Sequence, residues 1–246
     1  MTILVVGASG ATGKLLIEQL LVGLEVSEKV KIIVRSVDTL PDKIKQSEQV
    51  IITEASLLEM SDADLKAQVR GCRAVVSCLG HNLSFNGMFG HPRRLVTDAV
   101  QRLCKSIEAQ AHPPKTSVKF ILMNTTGNQN LQADEKISIS HALVIGLIRL
   151  LLPPHADNES AARYLQSHFG NNHNGLEWVV VRPDNLTNET SVSEYKNYES
   201  PIRSAIFNSG KTSRINVAHF IAQLIDNSDI WNKWKSKMPV IYNTSI

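Results

Sequence analysis

The stretch ILVVGASGATGK, residues 3–14, decides the fold. Four consecutive apolar residues, Ile3 to Val6, read as a buried strand. Then come Gly7-Ala8-Ser9-Gly10-Ala11-Thr12-Gly13, and GKLLIEQLLVGL (13–24) has apolar residues at helical spacing. A strand that turns through glycines into a helix is built to hold a pyrophosphate. Gly7 permits the tight turn, Gly10 lets the phosphates approach the backbone, and Gly13 lets the helix pack closely. Amide groups at the helix start, with Ser9, Ala11 and Thr12 around them, then face the negative charge. A dinucleotide is the expected ligand.

The pattern continues along the chain. Apolar strands are expected at 30–35, 49–55, 74–79, 118–124, 176–183 and 239–243, and helices at 62–71, 93–111, 159–169 and 216–226. Continuous apolar strands separated by helices predict a doubly wound, mainly parallel α/β sheet of Rossmann type, covered on both faces. No repeat, linker or low-complexity tract divides the chain, so residues 1–246 are expected to form one domain. Ligands bind beyond the carboxyl ends of such strands. The weakly periodic stretches at about 80–94, 127–158 and 184–215 are therefore expected to carry substrate-side structure. Within 80–94, Phe85 and Phe89 add aromatic surface.

Composition excludes several functions. Of 246 residues, 43% are hydrophobic, enough for a sizeable core, and the net charge is only +3. No long block of like charge suggests a nucleic-acid arm. Three cysteines, none in a CxxC pair, argue against a disulfide framework or a zinc site, and Cys78 reads as a small apolar residue. No His, Asp and Glu set has metal-ligand spacing. No signal-like segment precedes Ile3, and the longest apolar run, HALVIGLIRLLLPP, is interrupted by Arg149. The expected setting is the cytoplasm, with no membrane and no nucleic-acid partner.

The spacing GxxGxxG resembles that of the short-chain dehydrogenase/reductase superfamily. VVGASGATGK, followed by a strand ending in Arg35, resembles its atypical, NmrA-like branch. That branch includes biliverdin reductase B (a flavin reductase) and NADPH-sensing regulators. AVVSCLG, EWVVVRP and GKTSRINVAHFI extend the resemblance over most of the chain. It implies a cofactor contact at Leu79, Gly80 and His81 after the fourth strand, at Asn124 and Thr125 after the fifth, and at Pro183 after the sixth. It also places a polar residue and an acid on the helix near 159–169 facing the cofactor, here His155 and Glu159.

Arg35 stands where an NAD site usually carries an acid. A guanidinium can form a fork to a 2′-phosphate, and Ser36 can add a hydroxyl. NADP(H) is therefore expected over NAD(H), and Lys14 reads as surface charge. None of the four tyrosines begins a Tyr-x-x-x-Lys pair, so a tyrosine acid is not expected. The catalytic candidates are Thr125, which can place a substrate, and His155, which can act as a general acid near neutral pH. Asp157 or Asn158 reads as the cap of a helix that follows Pro153-Pro154, and Arg182 as an ion pair or an anion clamp. The expected activity is hydride transfer to a small or planar acceptor. The alternatives are an NADP(H)-sensing regulator with a protein partner, and an isomerase or lyase on the same fold.

Overall fold

The computed structural model of the chain describes residues 1–81, 89–110, 117–130, 135, 152–170, 175–204 and 208–244. In chain order the elements begin with β1 (Thr2–Val6), α1 (Ala11–Gly23), β2 (Lys29–Val34), α2 (Asp42–Lys45), β3 (Val50–Glu54), α3 (Asp62–Val69) and β4 (Cys72–Ser77). Then come α4 (Leu95–Glu108), β5 (Val118–Met123), α5 (Pro153–His168), β6 (Leu176–Pro183), β7 (Asn185–Thr187) and β8 (Tyr195–Tyr198). The chain closes with β9 (Lys211–Ser213), α6 (Arg214–Asp226), α7 (Ser228–Trp234) and β10 (Val240–Asn243).

Eight strands form one sheet in the order β3-β2-β1-β4-β5-β6-β10-β8. Its pairings are parallel except at the β8 edge, which runs antiparallel to β10. The chain thus has the mostly parallel Rossmann-type α/β fold that the strand pattern predicts. Side chains on a strand alternate between faces, so an all-apolar strand needs a core on each side. Ile3 and Val5 join α1 and α6 in one core, whereas Leu4 and Val6 join α4 and α5 in the other.

Three differences from the sequence reading have physical causes. Pro153 and Pro154 open α5, which therefore begins ahead of the expected cap at Asp157 or Asn158, because proline in the first turn gives up no intrahelical hydrogen bond. The strands β7, β8 and β9 are short and polar (NLT, YKNY, KTS), so they carry no apolar alternation to read. Asn227 caps the unforeseen α7, accepting from Asp229 N and Ile230 N at 2.9 and 3.0 Å, and Trp231 and Trp234 are buried. Much of the expected substrate-side structure (82–88, 131–134, 136–151 and 205–207, with Phe85 among them) lies outside the described residues.

Candidate functional site: a dinucleotide cleft and an adjoining polar cluster

The three motif glycines are held differently. Gly7 has φ +75°, and a Cβ there would lie 2.5 Å from the Cys78 carbonyl carbon and oxygen. A Cβ on Gly13 would lie 2.2 Å from the Gly7 oxygen. The fold itself requires glycine at both positions. Gly10 differs. Its φ is −72°, and an added Cβ would meet only the Gly7 oxygen, at 3.1 Å. At Gly10 a side chain would press on this one backbone oxygen, which would have to give by a few tenths of an ångström, and it would otherwise enter a cleft. The Gly10 amide donates to Gly7 O at 3.0 Å and closes the turn. The following amides, Ala11, Thr12 and Gly13, open α1 and have no intrahelical acceptor. Thr12 and Gly13 are buried beneath the turn.

The cleft has a volume of about 460 Å³ and lies where strands β1 to β4 end, at the reversal of strand order. That size and place suit part of a dinucleotide. Gly7, Ser9, Gly10, Arg35, Leu79 and Gly80, all expected from the sequence to contact a cofactor, line it. Arg35 is exposed and has no ion-pair partner among the described residues. Ser36 caps the short turn Val37–Thr39, accepting from Asp38 N at 3.3 Å, and is not on the cleft wall. The sequence reading missed Ser56 to Glu59, which follow β3 and complete the wall. Position after a strand end was their only signal. Cys78 also lines the cleft, but burial pushes its thiol up to about 12, so it is no nucleophile.

His81 turns away from the cleft into the protein. Its Nε2 lies 2.8 Å from Asp157 Oδ2, and its side chain is 5% exposed. Asp157 sits inside α5, not at its cap. Its carboxylate accepts from Val96 N at 2.8 Å and Thr97 N at 2.9 Å. Asp157 therefore caps α4 from a neighbouring helix, which corrects the local-cap reading. It ties the segment after β4 to the start of α4, and Gly80 and Leu95 of those two segments line the cleft.

A second cluster forms where β5 and β6 end. Asn124 is buried; its Nδ2 donates to Asn158 O at 2.8 Å, and its Oδ1 accepts from Thr125 N at 2.9 Å. This side chain fastens β5 to α5. The Pro183 carbonyl accepts from Thr126 N at 3.0 Å and fixes the same segment to β6. Thr125 Oγ1 accepts from Gly127 N at 3.3 Å. Gly127 leaves a gap shared by two side chains: a Cβ there would lie 3.1 Å from His155 Cε1 and 3.8 Å from Thr125 Oγ1. The two catalytic candidates, 30 residues apart in the chain, therefore flank one point. His155 Nε2 is buried, has no hydrogen bond of normal geometry, and lies 3.4 Å from Glu159 Oε1. Asn124, Thr125, His155 and Pro183 are not on the wall of the first cleft.

Arg182 is a fastening and not an anion clamp. It is wholly buried, and its five N–H donors are all used. Nε donates to Met238 O at 2.7 Å, and Nη1 to Asn128 O and Glu135 Oε2 at 2.8 and 3.0 Å. Nη2 donates to Glu135 Oε1 and Glu199 O at 2.6 and 3.2 Å. Three of the tyrosines are held as weak acids: burial pushes the Tyr164, Tyr195 and Tyr242 phenols up to about 12. Among the described residues, no group of three His, Cys, Asp or Glu is placed to hold a metal ion, and no helix is long and apolar enough to cross a membrane.

A family model described as NAD(P)H-binding matches residues 7–228. No curated protein matches the chain. Many solved structures share its fold. ChuY, an anaerobillin reductase from Escherichia coli O157:H7, is 16% identical, with a TM-score of 0.65 over 100% of this chain and 98% of its own. A short-chain dehydrogenase/reductase from Veillonella parvula, solved in complex with NADP, is 14% identical, with a TM-score of 0.65 over 99% and 95%. The oxidoreductase ylbE from Lactococcus lactis is 18% identical, with a TM-score of 0.63 over 99% and 91%. At such identities the likeness is one of fold.

Proposed function

The chain belongs to the NAD(P)H-binding family, and from that premise we propose that it is an NADPH-dependent oxidoreductase passing a hydride to a small or planar acceptor. The observation that carries this reading is the convergence of Thr125 and His155 on one point beside Gly127. A protein that only sensed the cofactor would need the cleft but not a hydroxyl and an imidazole brought together next to it.

The residues fit the cofactor. Gly10 leaves open the space that a pyrophosphate would take, and the first amides of α1 supply donors. Gly7, Ser9, Gly10, Ala11, Thr12 and Gly13 form the phosphate turn, with Leu79 and Gly80 opposite. Arg35, on the cleft wall and without an ion-pair partner among the described residues, would meet a 2′-phosphate, which favours NADP(H) over NAD(H). When bound, the nicotinamide supplies the hydride. Thr125 orients the acceptor through its hydroxyl. His155 delivers the proton to the reduced acceptor, and Glu159, one helical turn further along α5, holds the ring in place. The substrate is a small molecule. The names of the fold neighbours, an anaerobillin reductase and a short-chain dehydrogenase/reductase bound to NADP, belong to the same class of chemistry.

The test is NADPH consumption across flavins, bilins, quinones and aldehydes, with cofactor affinity measured separately. The expected result is acceptor-dependent consumption, with a preference for NADPH that Arg35→Asp removes. Tight NADPH binding with no acceptor reduced would replace this reading with that of a sensor.

A further inference from the structure

A second recess, of about 230 Å³, lies at the far edge of the sheet and, among the described residues, shares no lining residue with the dinucleotide cleft. β8, β10 and the start of β9 form it. Among the described residues, three cations line it, Lys196, Arg203 and Lys211, and no Asp or Glu does. None of the three has a hydrogen bond or ion pair among the described residues, whereas Arg73, Arg102, Arg182, Lys235 and Lys237 each have a carboxylate partner. Like charges gathered around a concave surface raise the local concentration of anions.

The carboxylates packed around the recess are already occupied. Asp184 is buried behind Gly210 and accepts from Gly210 N, Asn185 N and Thr126 Oγ1 at 2.7, 2.9 and 3.2 Å. Arg203 acts on it only through space. Glu194 accepts from Thr244 Oγ1 at 3.4 Å, and Glu199 pairs with Lys237 at 2.6 Å. One polar atom in the recess lacks such a partner. Tyr242 is 5% exposed and its hydroxyl is buried. Burial raises its pKa to about 12 although the nearby Ile202 backbone acts the other way, and among the described residues no hydrogen bond of normal geometry reaches it. The phenol is rigidly held: Tyr198 packs on it at 5.9 Å between ring centroids, and a Cβ on Gly210 would lie 2.4 Å from the ring.

We propose that this recess binds an oxyanion, the phosphate or carboxylate group of a small ligand, through Lys196, Arg203 and Lys211, with the Tyr242 hydroxyl as a neutral donor. The site does not depend on the reductase reading. A hydrogen-bonded route links it to the strand end that carries Thr125: Gly210 N to Asp184, and Asp184 to Thr126 Oγ1. Charge-assisted hydrogen bonds from two or three cations give such an anion a dissociation constant of about a millimolar or below.

The test is calorimetric titration of the full chain with inorganic phosphate and, separately, with succinate, in a buffer free of other oxyanions. Arg35→Gln serves as the control for phosphate taken up by the dinucleotide cleft. The expected result is saturable binding that Arg35→Gln leaves unchanged. The double variant Arg203→Gln/Lys211→Gln should weaken it about tenfold or more. Tyr242→Phe deletes only the hydroxyl and should weaken it several-fold, with the circular dichroism spectrum preserved. Binding of phosphate alone assigns a phosphate ligand; binding of succinate as well assigns carboxylates to the same site. Absence of saturable binding of either anion, or binding lost in Arg35→Gln and kept in the double variant, overturns the proposal.

Discussion

The two halves of the sheet's carboxyl edge are built in opposite ways. Around β1 to β4, the cleft is shaped by backbone: a turn closed by Gly10 N to Gly7 O, two glycines that tolerate no Cβ, and a helix start. Around β5 and β6, the site is shaped by side chains from distant parts of the chain: Asn124 to Asn158 and Arg182 to Glu135. A backbone-built half binds a cofactor whose shape does not vary. On the proposed function, a half built from side-chain networks can be retuned to another acceptor without disturbing the first. The comparison predicts that the halves fail differently when altered.

The largest effect is expected at Arg182. Arg182→Ala would remove five hydrogen bonds and leave the Glu135 carboxylate buried without its partner. Such a loss typically costs about 3–5 kcal/mol. Urea denaturation should show a much lower midpoint. A midpoint near that of the wild type would mean that the second half does not depend on this network.

The glycines sharpen the comparison within the first half. Gly7→Ala forces a side chain into a left-handed conformation and against the Cys78 backbone, so it should cost about 1–3 kcal/mol or more of stability. Gly10→Val should leave the fold intact, by circular dichroism and denaturation, and abolish detectable NADPH binding, because its room is taken from the cleft. Retained affinity in Gly10→Val would move the phosphate site elsewhere.

The contrast also explains what could be read from the sequence. The first half is encoded locally: Gly7, Gly10 and Gly13 stand out by their spacing along one strand, turn and helix, and Arg35 by its place after the next strand. The position of His155 near Thr125 depends on where α5 lands, and the expected cap at Asp157 or Asn158 placed His155 outside that helix. Asp157 looked like a local cap because its real partners, Val96 and Thr97, are about 60 residues away and leave no periodic trace. Arg182 offered two roles, and only the folded location of Glu135 chose between them. Strands β7 to β9 escaped because their residues are polar and their pairing partners are distant.

Tyr164 gives the smallest effect. Its ring stacks on His168 at 5.1 Å, and its buried hydroxyl has no hydrogen-bond partner among the described residues. Tyr164→Phe should therefore leave stability and turnover at neutral pH nearly unchanged. Burial raises this phenol to about 12, so the folded state holds its proton more firmly than the unfolded chain, whose tyrosines titrate near 10. Stability should fall as pH rises from about 10 to 12, and Tyr164→Phe should make that decline shallower. A dead but folded Tyr164→Phe enzyme would place the acid on this tyrosine after all.

The most direct test of the account separates binding from chemistry at one residue. His155→Gln keeps a polar side chain on α5 and removes the titratable ring. With an acceptor that the wild type reduces, it should lower kcat by about 100-fold or more, the scale of a lost general acid, while the dissociation constant for NADPH stays within about twofold. Unchanged kcat in His155→Gln, or NADPH affinity that collapses together with turnover, would contradict the assignment of His155 to the chemical step and of the two halves to separate tasks.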